Sequence, residues 1–273
     1  FIPLLMGFGC NVPAVMATRT LETREDRLLT ILINPLMSCT ARLPIYILFT
    51  GIFFSANGAM VIFSIYALGV LLAVASGKLF RRVLFRKAVS PFVMELPPYR
   101  TPTLRGTMLH VWERTALFLS KAGTVILAAS VVIWAMGSLP WGVKFASESS
   151  VVGHIGRVIE PVVRPLGFDW RAAVSLLFGI GAKEIVVSTL GVLYGAGHAG
   201  GLQGALAKSF TPLTAYGFMV VSLIYIPCIA TIAAIKRETN SWKWTLFAVG
   251  YSLSLAYLMG LAVYMLGMAV GIR

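Results

Sequence analysis

Charged residues are scarce in this sequence, at 12% of its 273 residues, whereas hydrophobic residues make up 58%. The mean hydropathy of +0.85 is too high for a soluble domain and is typical of membrane proteins. Because a membrane-spanning helix needs about 20 apolar residues, the chain has room for roughly six or seven spans with their loops. We therefore predict an all-α, polytopic membrane protein.

The sequence also lacks the signatures of common enzyme classes. It has no phosphate-binding loop of the type Gly-x-x-x-x-Gly-Lys-[Ser/Thr], so we expect no nucleotide to bind through that device. The three histidines (His110, His154 and His198) are scattered, and they fit neither a Ser-His-Asp arrangement nor a histidine-rich metal site. We therefore predict that this chain is not an enzyme and holds no permanently bound cofactor.

Acidic residues are few, and 23 Lys and Arg against 10 Asp and Glu give a formal net charge of +13. The basic residues cluster just outside apolar runs, most densely from Lys78 to Lys87, as they do in cytoplasmic loops of membrane proteins. This pattern predicts contact with anionic membrane lipids and argues against nucleic acid as a partner.

Cysteine is rare, and two of the three cysteines stand at interruptions of apolar segments. The first interruption is Gly7-Phe8-Gly9-Cys10-Asn11-Val12-Pro13, and the second is Ile226-Pro227-Cys228-Ile229-Ala230-Thr231. Glycine and proline break helices, and in lipid an opened backbone persists only where it is buried in protein or lines a polar cavity. A thiol beside freed carbonyls is a candidate site for a small cation. The alternative for each cysteine alone is a small buried hydrophobe.

The two interruptions correspond to each other along the chain. When Cys10 is aligned with Cys228, Arg19 falls on Arg237 and Leu28 on Leu246. Broken helices at matching positions of two halves are the best sequence indicator of a transporter's central site. We predict a first repeat within residues 1–90, a proline-rich linker at 91–106 and a second repeat with the last spans at 107–273.

The chain begins without Met inside an apolar run, so we expect it to be a piece of a longer polypeptide.

Two further polar positions lie within apolar runs. Arg42, in Ser38-Cys39-Thr40-Ala41-Arg42-Leu43-Pro44, either caps carbonyls exposed at a break or extends to the membrane interface. Lys183 and Glu184 are adjacent, so they need separate partners or a distorted backbone. Glu184 either lines a cation route or forms a structural pair with a residue such as Arg42.

The remaining segments are assigned from their composition. We predict an uninterrupted span from Gly58 to Gly77, a polar outer loop from Pro140 to Arg171 and a glycine-rich connector from Gly195 to Pro212. The last two spans are expected at Thr214 to Ile235 and at Trp244 to Ala269. The basic clusters share one side of the membrane if the segment around Lys183 enters the bilayer and returns.

These motifs resemble those of the FeoB ferrous iron transporters over nearly the whole chain. The stretch from Gly7 to Ala14 with Arg19-Thr20 is similar to the first Gate motif, and Ser38 to Pro44 is similar to the signature that follows it. Ala182-Lys183-Glu184 and Pro227 to Thr231 are similar to the second Gate region. The resemblance implies a ferrous iron permease of the bacterial inner membrane that works with a GTP-binding domain in cis or a separate GTPase. A small accessory protein and a homo-oligomer are further expected partners.

The resemblance also implies the residues of the iron route, and the chemistry agrees. Ferrous iron accepts both soft thiolate and hard oxygen ligands, whereas magnesium and calcium prefer oxygen alone. We expect Cys10, Cys228 and Glu184 to contact the metal, and a second group to line or gate the route: Gly9, Asn11, Pro13, Cys39, Arg42, Lys183, Pro227 and Thr231. For Asn11 the alternatives are an amide oxygen ligand and a helix cap.

Two other functions fit the same pattern of broken helices. The first is a Gate-type carrier for a nucleoside or another small organic solute, which would have no need of paired thiols. The second is a membrane anchor or assembly partner for a separate GTPase that does not itself transport.

Overall fold

The computed structural model describes residues 1–85, 150–195 and 201–271, together with isolated positions between 103 and 139. Within these residues the chain is helical and contains no β-strand. The predicted linker at 91–106 lies outside the described residues except for its end, and the predicted repeat boundaries remain predictions. The described helices are α1 (Ile2–Gly7), α2 (Asn11–Ala17), α3 (Arg24–Ile33), α4 (Leu43–Phe53), α5 (Gly58–Val83), α6 (Val151–Val163), α7 (Trp170–Phe178), α8 (Ile185–Gly195), α9 (Gly201–Ser209), α10 (Pro212–Ile224), α11 (Ile229–Thr239) and α12 (Trp242–Val270).

Among the described residues, four segments are long and apolar enough to cross a membrane: Arg24–Phe53, Gly58–Val83, Pro212–Thr239 and Trp242–Ala269. The second and fourth are single continuous helices, α5 and α12. The first and third each consist of two helices separated by a break. The all-α, multi-pass architecture predicted from composition is thus confirmed, with broken helices among its spans.

Helix α10 forms the centre of the fold. It packs against α4, α5 and α12, and almost all of its side chains are buried. Four aromatic rings close this core around it, with centroids 5.1 to 5.8 Å apart: Phe49, Phe168, Phe210 and Phe218. The helix begins with a capping box, in which Thr211 and Thr214 bond each other's backbone N–H, and Pro212 occupies the first turn. Helix α10 ends at Ile224, ahead of Pro227 in the break before Cys228, because proline lacks a backbone N–H and clashes with the preceding turn.

The two stretches predicted as loops contain helices. The polar outer loop predicted at Pro140 to Arg171 includes α6 and the start of α7, and the connector predicted at Gly195 to Pro212 includes α9. The polar residues that indicated a loop act as helix caps: Ser150 Oγ accepts from Gly153 N (3.2 Å) and Asp169 Oδ1 accepts from Ala172 N (2.9 Å). Packing of α9 against α4 and α8 outweighs its weak helix propensity.

Helix α5 is longer than the predicted span, because it continues past Gly77 to Val83. Basic residues in a last helical turn interact favourably with its free carbonyls, so Arg81 and Arg82 extend this helix rather than end it. The predicted last span is confirmed, since α12 runs without interruption from Trp242 to Val270.

The two predicted repeats meet where α2 packs against α11. At the ends of these helices Arg19 forms an ion pair with Glu238, through bonds of 2.6 and 2.7 Å. The hydrogen bonds that Arg19 donates to the Glu238 carboxylate raise the pKa of the Arg19 guanidinium. An ion pair therefore links the segments that follow the two broken helices.

Candidate metal route at the helix breaks

All three cysteines occupy the same kind of backbone position. Cys10 and Cys228 are the N-cap residues of α2 and α11, and Cys39 precedes the short 3-10 turn Thr40–Arg42 that leads into α4. Their backbones are extended, with φ/ψ of −150°/130°, −62°/154° and −80°/159° respectively. Each thiol thus stands at the point where a broken helix resumes.

The breaks bring residues of both halves together. The helices that begin at Cys10 and Cys228, α2 and α11, pack against each other. Cys10 is exposed, Cys228 is half-buried and Cys39 is buried. In the described part of the chain, no three His, Cys, Asp or Glu side chains stand close enough to hold a metal ion together. The residues predicted to contact the metal therefore form no preassembled chelate, and their role stays a prediction.

Hydrogen bonds from a later segment of the same chain hold the first break, which lies between α1 and α2. The Gly9 carbonyl accepts from both Thr40 N (3.2 Å) and Thr40 Oγ1 (2.9 Å), which ties the break before Cys10 to the one at Cys39. Asn11 is buried in the first turn of α2, with Cys10 as the cap. With its amide orientation assigned from the surrounding donors and acceptors, Asn11 donates to the Gly7 and Asn34 carbonyls, both at 3.3 Å. Asn11 therefore bridges the same two breaks, and it is not the helix cap.

Arg42 is fully buried and caps the carbonyls of its own break. Its guanidinium donates to the Met37 carbonyl at 3.0 Å and to the Pro35 carbonyl at 3.3 Å. The first of its two sequence alternatives, carbonyl capping, is therefore the one that the structure shows. The described contacts of Arg42 do not include Glu184.

The second pair of breaks is joined by Lys183, whose side chain is 3% exposed. Its ammonium donates to the Ile226 carbonyl at 2.6 Å and lies 3.2 Å from the centroid of the Tyr225 ring. The Ile229 amide donates to the Ile180 carbonyl at 2.8 Å, next to the same junction. The break between α7 and α8 thus contacts the break between α10 and α11.

Lys183 and Glu184 take different environments, as expected of neighbours on a distorted backbone. They lie in a turn between α7, of 9 residues, and α8, of 11 residues. At about 1.5 Å per residue, neither helix spans the roughly 30 Å of a bilayer core. Glu184 is half-buried, while Lys183 is enclosed.

The proline and threonine positions of the two repeats differ. Pro13 is exposed in the first turn of α2, where its missing N–H is not needed, and Pro227 is buried in the break before α11. Thr231 is buried, and its hydroxyl lies 3.2 Å from the Cys228 sulfur. Thr231 is therefore placed to orient the second thiol, whereas the described contacts of Cys10 include no such hydroxyl.

Two residues that sequence reasoning passed over also face the breaks. Tyr225 and Asn34 are buried, and neither the Tyr225 hydroxyl nor the Asn34 amide group has a hydrogen-bond partner among the described residues. Buried polar groups are normally paired, so these two groups are unsatisfied exceptions beside the breaks. A signal was present, since Tyr225 and Asn34 come shortly before Pro227 and Pro35, where the backbone opens.

Comparison with known families covers most of the chain. The profile of the Gate family, described as nucleoside recognition, matches residues 1–53 and 119–242. The profile described as the ferrous iron transport protein B C terminus matches residues 62–114.

Curated relatives extend the same match. The Fe(2+) transporter FeoB of Methanocaldococcus jannaschii is 48% identical over 97% of this chain and 41% of its own length. The FeoB of Staphylococcus aureus strain COL is 44% identical over 98% of the chain and 40% of its own length. An Fe(2+) transport protein A/FeoB fusion protein of Porphyromonas gingivalis is 42% identical over 98% of this chain and 37% of its own length. The chain thus spans about two fifths of the length of these relatives. No solved structure matches.

Proposed function

The chain belongs to the FeoB family of ferrous iron transport proteins, and from this premise we propose that it forms a membrane permease through which Fe²⁺ crosses the bilayer. The observation that carries the proposal is the position of Cys10 and Cys228, which are the N-cap residues of α2 and α11, two helices from different halves of the chain that pack against each other. Each of the three thiols is presented at a helix break.

The donor set suits ferrous iron. Thiolates are soft ligands and carboxylates are hard ones, and Fe²⁺ accepts both. The backbone carbonyls of the breaks add further oxygen atoms. Ions that must be released should be bound weakly and at successive positions, so separate donors suit conduction better than a closed chelate does. In this proposal Cys10, Cys228 and Glu184 contact the ion in turn, and the other break residues shape the route.

The proposal extends to the setting of the whole protein. We place this region in the bacterial inner membrane as a multi-pass segment, surrounded by lipid and able to form homo-oligomers. A GTP-binding domain, in cis or as a separate GTPase, would supply the coupling. The relative named as a fusion with Fe(2+) transport protein A supports a small accessory protein of the same system as a partner.

Metal protection of the thiols tests the proposal. The full chain in liposomes is treated anaerobically with N-ethylmaleimide, with and without Fe²⁺, and modification of each cysteine is quantified by peptide mass spectrometry. We expect Fe²⁺ to slow modification of Cys10 and Cys228, and Mg²⁺ to have no such effect, because Mg²⁺ prefers oxygen ligands. Equal protection by Mg²⁺, or none by Fe²⁺, would contradict the proposal.

Transport itself gives the second test. Fe²⁺ influx into the liposomes should be lost when Cys10 and Cys228 are both replaced by Ser, with the surface variant Met60→Leu as the matched control. Undiminished influx through the double variant would favour a route that does not use the thiols.

A further inference from the structure

We propose that the Lys183 ammonium occupies a cation position beside Cys228, and that an incoming divalent cation binds there only by displacing it. This inference rests on the proposed function, because it specifies how the same route admits its ion. It assigns Lys183 the role of a built-in competitor and makes the Ile226 carbonyl the ligand for which the two cations compete.

The surroundings of the ammonium are those of a bound cation. A backbone carbonyl lies at 2.6 Å and the face of an aromatic ring at 3.2 Å, in a position that leaves Lys183 only 3% exposed. Carbonyl oxygens are ligands for metal cations, and aromatic faces attract cations electrostatically. A lysine ammonium is a compact point charge on a flexible stem, so it can fill such a position and also leave it.

The occupied carbonyl belongs to the break that presents the second thiol. Ile226 is two residues before Cys228, and Pro227 between them opens the backbone, so the Ile226 carbonyl accepts from Lys183. The same carbonyl lies at the break that presents the Cys228 thiol, so a divalent cation bound to both of these ligands would occupy the place of the ammonium. The ammonium and the ion therefore compete for one place.

The first break contains no equivalent competitor among its described contacts. The nearest buried cation there is Arg42, which is committed to the Pro35 and Met37 carbonyls of its own segment. The Gly9 carbonyl is held by Thr40, a neutral donor. Cys10 is therefore an internal reference for the experiment, because removal of the lysine charge should change metal binding at Cys228 and leave Cys10 little affected.

Displacement would also loosen the contact between the breaks. The Lys183 to Ile226 bond and the Ile229 to Ile180 bond join the turn after α7 to the turn after α10. When the ammonium leaves, the second bond alone remains of these two.

The test measures the Fe²⁺ concentration that half-protects each thiol from N-ethylmaleimide in the full chain in liposomes. In Lys183→Met this concentration should fall about tenfold or more at Cys228, because a hydrogen bond made by a charged group no longer has to be broken. At Cys10 it should change by less than about threefold, since no hydrogen bond of the first break is lost. Lys236→Met is the matched control, since its ammonium lies 5.2 Å from the Trp242 ring, away from the breaks.

An unchanged or higher half-protecting concentration at Cys228 would overturn the inference, and so would an equal fall at both thiols. Should Lys183→Met fail to fold, Tyr225→Leu carries the test, because it removes the ring that holds the ammonium. In Tyr225→Leu the half-protecting Fe²⁺ concentration at Cys228 should fall about threefold. An unchanged concentration at Cys228 would again contradict the inference. If Fe²⁺ protects neither thiol in the unmodified chain, the proposed function itself fails.

Discussion

The two halves of this chain satisfy their opened backbones in different ways. In the first half Arg42 donates to carbonyls five and seven residues before it in the same segment. In the second half Lys183 donates to Ile226, 43 residues away, and so connects two separate breaks. One buried cation stabilises a local turn, while the other makes a tertiary contact.

The chemistry of the two side chains fits this difference. A guanidinium is planar, carries several donors and stays charged, so Arg42 can serve two carbonyls at once as a permanent cap. An ammonium is a point charge on a flexible stem that another cation can replace. The comparison teaches that a buried cation can serve carbonyls of its own segment in one half and a carbonyl of a distant segment in the other, where we propose that it is exchangeable.

The largest effect is expected at Arg42. In Arg42→Met the Pro35 and Met37 carbonyls lose their donors inside the protein, and the free energy of unfolding should fall by about 3 kcal/mol. Denaturant unfolding of the purified chain in detergent measures this change, with Arg42→Lys as the variant that keeps a charge. A stability equal to that of the unmodified chain would mean that the carbonyls find other donors.

The next effect is expected from crowding the first break. A Cβ added at Gly7 would lie 2.5 Å from Asn34 Oδ1 and 3.0 Å from Met37 Cβ, so Gly7→Ala should cost about 2 kcal/mol. The matched control is Gly51→Ala in α4, where a Cβ meets nothing within 4 Å. That variant should be neutral or stabilising by up to about 1 kcal/mol, because alanine favours helix over glycine. Equal stabilities of the two variants would show that the break adjusts without cost.

A smaller effect is expected at Lys183. In Lys183→Met the Ile226 carbonyl loses its donor, but the cost of burying an ammonium disappears as well, so the net loss of stability should be about 1 kcal/mol. The same unfolding measurement applies, with Lys236→Met as control. A loss as large as that of Arg42→Met would remove the distinction between a permanent cap and an exchangeable one.

The smallest effect is expected where the two repeats meet at the surface. Arg19 is about half exposed, and exposed ion pairs contribute little, so Arg19→Gln should lower the unfolding temperature only slightly. Added salt should lower the stability of the unmodified chain by a similarly small amount, because salt screens exposed charges. A large loss would indicate that Glu238, whose side chain is only 2% exposed, depends on this partner.

The sequence by itself determined the class of the protein and the location of its breaks. Composition established a helical membrane protein, since an apolar chain of this kind can satisfy its backbone in lipid only with helices or a closed barrel. Proline and glycine beside the cysteines located the interruptions, because these residues break helices for local steric reasons. The offset between Cys10 and Cys228 matched two N-cap positions in the structure.

Other features depended on contacts between distant residues. The offset that aligns Cys10 with Cys228 places the broken segment Arg24–Phe53 opposite α12, which is continuous and has Leu253 and Ala262 where the first half has Pro35 and Pro44. The sequence could show that these prolines are missing from α12, but it could not show which partners the opened carbonyls would find. The helices in the predicted loops likewise depended on packing and caps.

Only the tertiary structure decided the partners of the buried charges. From the sequence Arg42 had two equal roles, and Glu184 was a candidate partner for it. In the structure the Arg42 guanidinium donates to the Pro35 and Met37 carbonyls, which decides between its two roles. The structure also places the Lys183 ammonium against the Ile226 carbonyl and the Tyr225 ring. The physical reason is that a buried charge takes whichever acceptor the surrounding helices leave unpaired, and that depends on how distant segments pack.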